Sequence, residues 1–289
     1  EKERKQTQQN SSHGKMKFIC IRKEIFFMKK ALLVAMLLLI PIVSGSYISI
    51  STTMISEIIE GNSTELVLEM EQRGDESAHD ISAEIITPNY MRVNGEMSKE
   101  VLNPGEKTNG TFSIEFTKNI PEGKYPAVAR IKYHDANGYP FSIVSAHVLK
   151  KGDAKNSVLG GSVGRIELGK DSEREVEVTI ENPTSETKEV LVRMYVPEEI
   201  QIQTREKIMA IGPKTKSNLL FKIRNEKALP GSTYSIAFSL EYDDVKHYTS
   251  FLYGNVNIVE GKNNLNLILI LTSLFIILLI IFFYLRGSV

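Results

Sequence analysis

The sequence repeats itself at an offset of 109 residues, and this duplication constrains the fold more than any other feature. The first repeated proline shows the offset, since 197 − 88 = 109. Ten identities need no gap: Pro88, Pro104, Lys107, Phe112, Ile114, Lys118, Pro121, Tyr125, Tyr133 and Asp135 match Pro197, Pro213, Lys216, Phe221, Ile223, Lys227, Pro230, Tyr234, Tyr242 and Asp244. One inserted residue extends the match upstream. Chance does not supply three prolines with aromatic residues between them, so the chain contains two tandem copies of one domain.

Both copies show the period-two alternation of half-buried strands. The apolar positions are Leu66, Leu68 and Met70 in copy one, and Val176, Val178 and Ile180 in copy two. Each copy has about 100 residues and about seven strands, which is typical of a Greek-key sandwich of the immunoglobulin type. We therefore expect an all-β fold of two tandem immunoglobulin-like Greek-key β-sandwiches, followed by a C-terminal transmembrane α-helix.

Pro and Gly turns place the predicted strands and domain boundaries. In copy one we expect strands near 47–54, 64–72, 81–87, 91–95, 110–117, 124–134 and 139–149. In copy two they are expected near 162–168, 173–182, 188–196, 200–204, 216–224, 233–242 and 245–259. The sandwiches are predicted to occupy residues 46–150 and 157–260, with a polar linker at 151–156.

A secretory signal is predicted upstream of the first copy. Met28 and two lysines precede an apolar run at 31–43, which small residues follow. This run is too short to cross a bilayer as a helix, and the pattern is that of a signal peptide at 28–45, with cleavage after Gly45. Residues 1–27 are then an upstream leader whose translation is doubtful. The alternative is an uncleaved anchor at 31–50.

A membrane span is predicted after the second copy. The uncharged segment begins at Leu265 and ends at Leu285, and a helix of this length spans about 31 Å. Arg286 follows it, in agreement with the positive-inside rule. We expect a single-pass protein of the cell membrane that contacts the lipid bilayer through this span, with the ectodomain outside and residues 286–289 in the cytoplasm.

The turn phrases of copy one carry a resemblance to known families. They read Asn-Pro-Gly-Glu at 103–106, Phe-Ser-Ile at 112–114, and a run from Ile120 to Gly138 with Tyr125 at a tyrosine-corner position. This layout resembles the NEW3 and CARDB β-sandwich modules of bacterial and archaeal surface proteins, including S-layer-associated proteins with a C-terminal membrane span. Copy two departs from it after Tyr242, where an Asn-Gly turn is missing, so its last hairpin is expected to be shorter or differently shaped.

The formal charge of the whole chain is zero, but the expected ectodomain is acidic. The chain has 35 Lys+Arg and 35 Asp+Glu. Residues 1–45 contribute 9 − 3 = +6 and Arg286 adds +1, which leaves 25 − 32 = −7 for residues 46–285. An acidic exterior disfavours a nucleic-acid partner. The one cysteine, Cys20, lies in the leader, so no disulfide is expected within the ectodomain.

The sequence offers few candidates for chemistry. The ectodomain has four scattered histidines, at 79, 134, 147 and 247, and neither a two-His zinc motif nor a G-x-S-x-G elbow is present. We expect no catalytic residue and no cofactor. The calcium candidates are hairpin residues: Asp135, Asn137, Asp243 and Asp244. Asn62 and Asn109 begin glycosylation sequons, both placed in predicted turns.

Three functions remain open from the sequence. The first is a non-enzymatic, membrane-anchored surface protein with a structural, adhesive or binding role, whose partner is another envelope or membrane protein. The second is an accessory subunit of a membrane transporter or secretion complex. The third is a carbohydrate-binding module acting with an enzyme on another chain, which the lack of Trp disfavours. The exposed edge strands of either sandwich offer a route for β-augmentation.

Overall fold

The computed structural model describes residues 47–260, 270 and 272–276, and most of them lie in β-strands. The first copy contains β1 (Ile50–Ser56), β2 (Ser63–Gln72), β3 (Ala78–Ile86), β4 (Met91–Asn94), β5 (Met97–Leu102), β6 (Lys107–Phe116), β7 (Gly123–His134) and β8 (Pro140–Lys151). The second contains β9 (Gly160–Val163), β10 (Ile166–Gly169), β11 (Glu173–Asn182), β12 (Lys188–Tyr195), β13 (Ile200–Ile202), β14 (Glu206–Ile211), β15 (Thr215–Asn225), β16 (Thr233–Asp243) and β17 (His247–Val259). The all-β prediction is confirmed for these residues.

The strands form two four-stranded sheets and one sheet of nine strands. The small sheets have the orders β1-β2-β6-β4 and β13-β15-β11-β9. The large sheet has the order β14-β12-β16-β17-β7-β3-β5, with β10 paired to β17 and β8 paired to β7. The large sheet therefore contains strands of both copies, which two independent domains would not produce.

Each small sheet packs against its own half of the large sheet. One hydrophobic core includes Phe112 and Tyr125, and the other includes Phe221 and Phe238, all of them fully or almost fully buried. The alternating apolar residues of β2 and β11 lie in these cores, as the period-two pattern predicted. We call β1–β8 the first sandwich and β9–β17 the second sandwich, an arrangement consistent with an immunoglobulin-like fold.

The pairing of the strands preserves the duplication. β2 maps onto β11 at a shift of 173 − 63 = 110, and β5 maps onto β14 at a shift of 206 − 97 = 109. The small sheets have matching orders when these shifts are applied. Between these strands, β3 carries a register irregularity between His79 and Ser82, and Asp80 has a φ of 50° there. Copy one thus has one extra residue in β3, which changes the shift from 110 to 109 and is accommodated as a β-bulge.

A buried amide holds the loop after the equivalent strands of each copy. Gln72 and Asn182 are fully buried, and they are equivalent because 182 − 72 = 110. The Gln72 Oε1 atom accepts hydrogen bonds from the backbone N–H groups of Ser49 and Gly74. The Asn182 Nδ2 atom donates to three backbone carbonyls, including that of Ile211 at 3.0 Å. Buried polar groups need such partners, which explains an amide in an otherwise apolar position.

Two strands were missing from the sequence prediction. β5 and β14 occupy equivalent positions that the sequence does not predict as strands, because their charged and small residues break a clear alternation. The strand predicted at 162–168 is divided into β9 and β10. Each sandwich therefore has more strands than the seven expected.

The predicted membrane span lies almost wholly outside the described residues. Residues 270 and 272–276 are helical. Among the residues that the structure describes, none belongs to a helix with the length and apolar character that a bilayer crossing requires. The predicted leader at 1–27 and signal peptide at 28–45 also lie outside the described part of the chain.

The second core generates a test of the fold. Replacing the fully buried Phe221 with alanine removes a ring that packs on Phe238 with 5.4 Å between ring centroids. We expect Phe221→Ala to lower the free energy of unfolding by about 3–5 kcal/mol in urea denaturation. The adjacent Leu220 is 44% exposed, so Leu220→Ala should cost less than about 1 kcal/mol. Equal losses would contradict the assigned core.

Candidate functional site

The two sandwiches are joined where β17 begins beside the start of β7. The backbone N–H of His247 donates to the carbonyl of Glu122 at 3.0 Å, and His247 pairs with Gly123 as a parallel bridge. A Cβ atom on Gly123 would lie 2.2 Å from the carbonyl oxygen of His247. Since real Cβ atoms do not approach so closely, this position requires glycine. We call residues 122–125 and 246–249 the joint.

Side chains of the joint hold the two strands together. The imidazole of His247 stacks on the ring of Tyr125, with 4.4 Å between centroids and 6° between planes. The Thr249 hydroxyl donates to the carbonyl of Lys124 at 2.7 Å, and the Lys246 ammonium lies 3.1 Å from a carboxylate oxygen of Glu122. The joint is thus a specific contact made by backbone, aromatic and charged groups together.

Tyr125 also forms the predicted tyrosine corner. Its hydroxyl donates to the carbonyl of Pro121 at 2.6 Å. Burial raises the pKa of Tyr125, so the hydroxyl stays protonated and keeps donating. Because this bond fixes the ring that His247 stacks on, the tyrosine corner of the first sandwich positions a residue of the second.

A charged network continues from His247 into the second sandwich. The His247 Nδ1 atom lies 2.7 Å from Asp243, and Nε2 lies 3.8 Å from Glu241. Glu241 is 2% exposed, and both of its oxygens accept hydrogen bonds of 2.7 Å from Arg193. The Ser239 hydroxyl donates to Glu241 at 2.6 Å. The buried carboxylate is therefore well paired, as a buried charge must be.

This network sets the pKa of His247. Burial disfavours the charged imidazole, but the carboxylates of Glu241 and Asp243 outweigh burial, so the pKa of His247 is raised. For Glu241 burial acts in the opposite sense, and the cationic His247 and Arg193 hold its pKa below the ordinary value. The joint thus favours protonated His247 beside ionised Glu241.

A second contact between the sandwiches is apolar at its centre. Val128 and Val144 of the first sandwich form one buried cluster with Tyr195 and Ala237 of the second. Beside it, the buried Ser142 hydroxyl donates to Glu199 at 2.6 Å. Burial raises the pKa of Glu199. The sandwiches therefore share an apolar and polar interface in addition to the joint.

Next to the joint, the outer face of the second sandwich has a cavity of about 410 Å³. It is lined by Glu189, Leu191, Ile208, Glu241, Tyr242, Asp243 and His247. We call it the acidic cleft. Three carboxylates face it beside two aliphatic side chains, but Glu241 and Asp243 contact His247. Glu189 is therefore the carboxylate that suits a cationic group attached to an apolar one.

The calcium candidates are engaged in local hydrogen bonds. Asp135 accepts from the backbone N–H groups of Asn137 and Tyr139 at 2.9 and 2.8 Å, which closes the β7–β8 hairpin. Asp243 contacts His247, and Asp244 lies 2.9 Å from the Lys188 ammonium. In the part of the chain that the structure describes, no cluster of three or more acidic, His or Cys residues has the geometry to hold a metal ion.

The two sequon asparagines are both exposed. Asn62 lies in the bend before β2, as expected. Asn109 lies within β6 rather than in a turn, where it pairs with Glu69 of β2. Its placement in a turn was wrong because the turn at 103–106 ends before β6 begins at Lys107.

Sequence reasoning missed the role of His247. In the sequence, His247 is one of the four scattered histidines of the ectodomain. In the structure, His147 contacts the Ser56 hydroxyl at 3.0 Å, and His134 lies 3.6 Å from Asp80. The available signal was the departure of copy two after Tyr242. The hairpin there has three residues between strands, at 244–246, against five at 135–139, as expected for a shorter turn. That shortened hairpin ends at the joint.

Comparison with known proteins assigns no family. No protein-family model matches the chain, and no curated protein matches it. Among solved structures, it is similar to E. coli alpha-2-macroglobulin in its native conformation (8% identity over 72% of this chain and 17% of that chain, TM-score 0.29). It is also similar to a Porphyromonas gingivalis W83 protein of unknown function (12% identity, 72% and 98% covered, TM-score 0.29) and to red sea bream transglutaminase (9% identity, 76% and 32% covered, TM-score 0.27). No argument about activity rests on these low similarities.

The raised pKa of His247 predicts how the joint responds to pH. A histidine whose folded pKa exceeds its unfolded value of 6.5 adds stability that is fully present below pH 6.5. That contribution is lost as the pH rises through the folded pKa. In urea denaturation, we expect the stability advantage of the wild type over His247→Gln to be constant below pH 6.5 and to shrink as the pH rises above that value.

His147 supplies a control of opposite sign for this experiment. Burial, aided by Lys150, lowers the pKa of His147, so its contribution is lost as the pH falls. The advantage of the wild type over His147→Gln should grow as the pH rises toward 6.5 and stay constant above that value. The same pH trend for both variants would contradict the assigned network.

Proposed function

We propose that the chain is a non-enzymatic cell-surface protein whose two sandwiches act as one rigid, acidic binding unit. It is anchored in the membrane through the segment from Leu265 to Leu285, with the ectodomain outside. Its role is to hold a binding surface at a fixed distance and angle from the lipid. The resemblance to NEW3- and CARDB-type surface modules supports this proposal, as does the acidic balance of residues 46–285.

The joint is the observation that carries the proposal. Flexible tandem modules are connected by a linker and share few contacts. Here, by contrast, the backbone bond from His247 to Glu122, the ring stacking on Tyr125 and the apolar cluster around Val128 connect the sandwiches at separate points. Contacts of this kind give a defined orientation, which a spacer or an adhesive unit needs and which free hinge motion would remove.

The linker takes part in the same contact. The Lys246 ammonium bonds to Asp153 at 2.9 Å as well as to Glu122. These groups hold the pKa of Lys246 above its ordinary value, with Asp153 as the larger cause. The predicted linker at 151–156 is thereby fastened to the second sandwich, which supports a rigid arrangement.

Surface labelling of the full chain tests this proposal. A membrane-impermeant amine reagent applied to intact cells should modify exposed lysines such as Lys216 and Lys107, whose side chains are 64% and 75% exposed. Mass spectrometry after labelling would identify the modified peptides. Labelling that appears only after the cells are broken would contradict the surface location.

The alternative function is an accessory subunit of a membrane complex, and it makes a different prediction. Purification in detergent from cells that express the chain with an unrelated membrane span should leave partners unchanged if the sandwiches bind them. Loss of all partners on exchange of the span would favour the subunit function instead.

A further inference from the structure

The large sheet ends in a strand edge that the rest of the fold leaves open. β14 pairs with β12 on one side, from Glu206 opposite Arg193 to Ile211 opposite Lys188. On its other side no described strand pairs with it. An open edge presents unsatisfied backbone N–H and C=O groups that can pair with another extended chain.

The equivalent edge of the first sandwich has a lysine where this one has an isoleucine, and the lysine of β14 itself, Lys207, donates to the carbonyl of Leu220 at 2.7 Å. At the shift of 109, Lys99 of β5 corresponds to Ile208 of β14. The Lys99 ammonium lies 2.5 Å from a Glu106 oxygen, whereas the Ile208 side chain is 64% exposed. Lysine on an edge strand discourages strand addition, and an exposed isoleucine permits it. The two copies thus differ at a position where a lysine would oppose strand addition.

The edge strands of the two small sheets are shorter or are contacted by another strand. β1 is met by β8, since the Thr52 hydroxyl donates to Ser145 at 2.8 Å and Ser56 contacts His147. The remaining edge strands of the small sheets, β4, β9 and β13, have four residues or fewer. β14, with six residues, is longer than these three edge strands, and within the described part of the chain one of its sides is open to a partner strand.

The acidic cleft lies on the same face as Ile208 and beside this edge. Ile208 is opposite Leu191, which is opposite Glu241 across the next pair of strands. One step along the same face, Ala210 is opposite Glu189. A side chain on a strand added to β14 would reach Glu189 by passing over the methyl group of Ala210. Glu189 is exposed and forms no ion pair with any other residue that the structure describes.

We propose that β14 and the acidic cleft bind an extended segment of a partner protein by β-augmentation. The segment carries an apolar residue beside Ile208 and, two positions away, a lysine or arginine directed over Ala210 to Glu189. Side chains two positions apart share a face of a strand, so the pattern is apolar-x-basic. The backbone of the segment pairs with β14, and the cationic group is attracted by Glu189. This inference rests on the proposed binding function and names its partner chemistry.

Titration of the full chain in detergent with synthetic peptides tests the proposal. The probe is a short blocked peptide of alternating threonine and valine, with one valine replaced by arginine. The matched probe carries glutamate in place of arginine. Binding should shift the backbone amide NMR signals of β14 and of Glu189, and the glutamate peptide should bind about tenfold more weakly.

Three variants define the site. Ile208→Lys, which introduces the residue found at the equivalent position 99, should abolish the shifts. Glu189→Gln should reduce the affinity for the arginine peptide and leave the glutamate peptide unaffected or better bound. Ile55→Lys makes the same chemical change on β1, where Ile55 is 52% exposed, and should change nothing.

Several outcomes would overturn the proposal. One is an absence of shifts in β14 at about 1 mM arginine peptide. Others are binding that survives Ile208→Lys, or equal affinity for the two peptides. If the full chain is not labelled on intact cells but binds the arginine peptide at β14, the surface function fails and the strand site stands. If it is labelled but binds neither peptide, the strand site fails alone.

Discussion

The approach of two backbones at Gly123 and His247 determines how the two sandwiches are arranged. A side chain at position 123 would collide with the carbonyl of His247 at 2.2 Å, so the parallel bridge exists only because this residue is glycine. The bridge in turn brings the His247 ring onto Tyr125 and connects the two halves of the large sheet. The apolar cluster around Val128 and Tyr195 can then close between the sandwiches.

The buried charges beside this bridge hold the His247 ring in one position, so the contact between the two sandwiches is specific. Glu241 is almost fully buried, and removing one partner of such a pair costs about 3–5 kcal/mol. The bond between Arg193 and Glu241 and the contact of His247 with Asp243 lie within the second sandwich, and they hold the His247 ring where it stacks on Tyr125 of the first. The orientation of the sandwiches, and with it the direction of the open β14 edge, follows from this stacking together with the backbone bridge and the apolar cluster.

Much of the fold could be predicted from the sequence, but the contact between the copies could not. Alternation placed β2 and β11, and the repeated prolines identified the duplication, because these signals are local or periodic. β5 and β14 were missed since their alternation is masked by charged or small residues. The joint depends on Gly123 and His247, which lie 247 − 123 = 124 residues apart, and neither position is repeated in the other copy. The candidate cleft was likewise invisible, because its acids come from separate strands, β12 and β16.

The most direct test of this account is whether both sandwiches share one orientation in solution. Residual dipolar couplings of backbone N–H groups measure the alignment of each sandwich separately. We predict that one alignment tensor fits both sandwiches in the wild type and in Gly160→Ala, where a Cβ atom meets nothing within 4 Å. Gly123→Ala should require two different tensors. Two independent tensors in the wild type, or one shared tensor in Gly123→Ala, would contradict the central role of the joint.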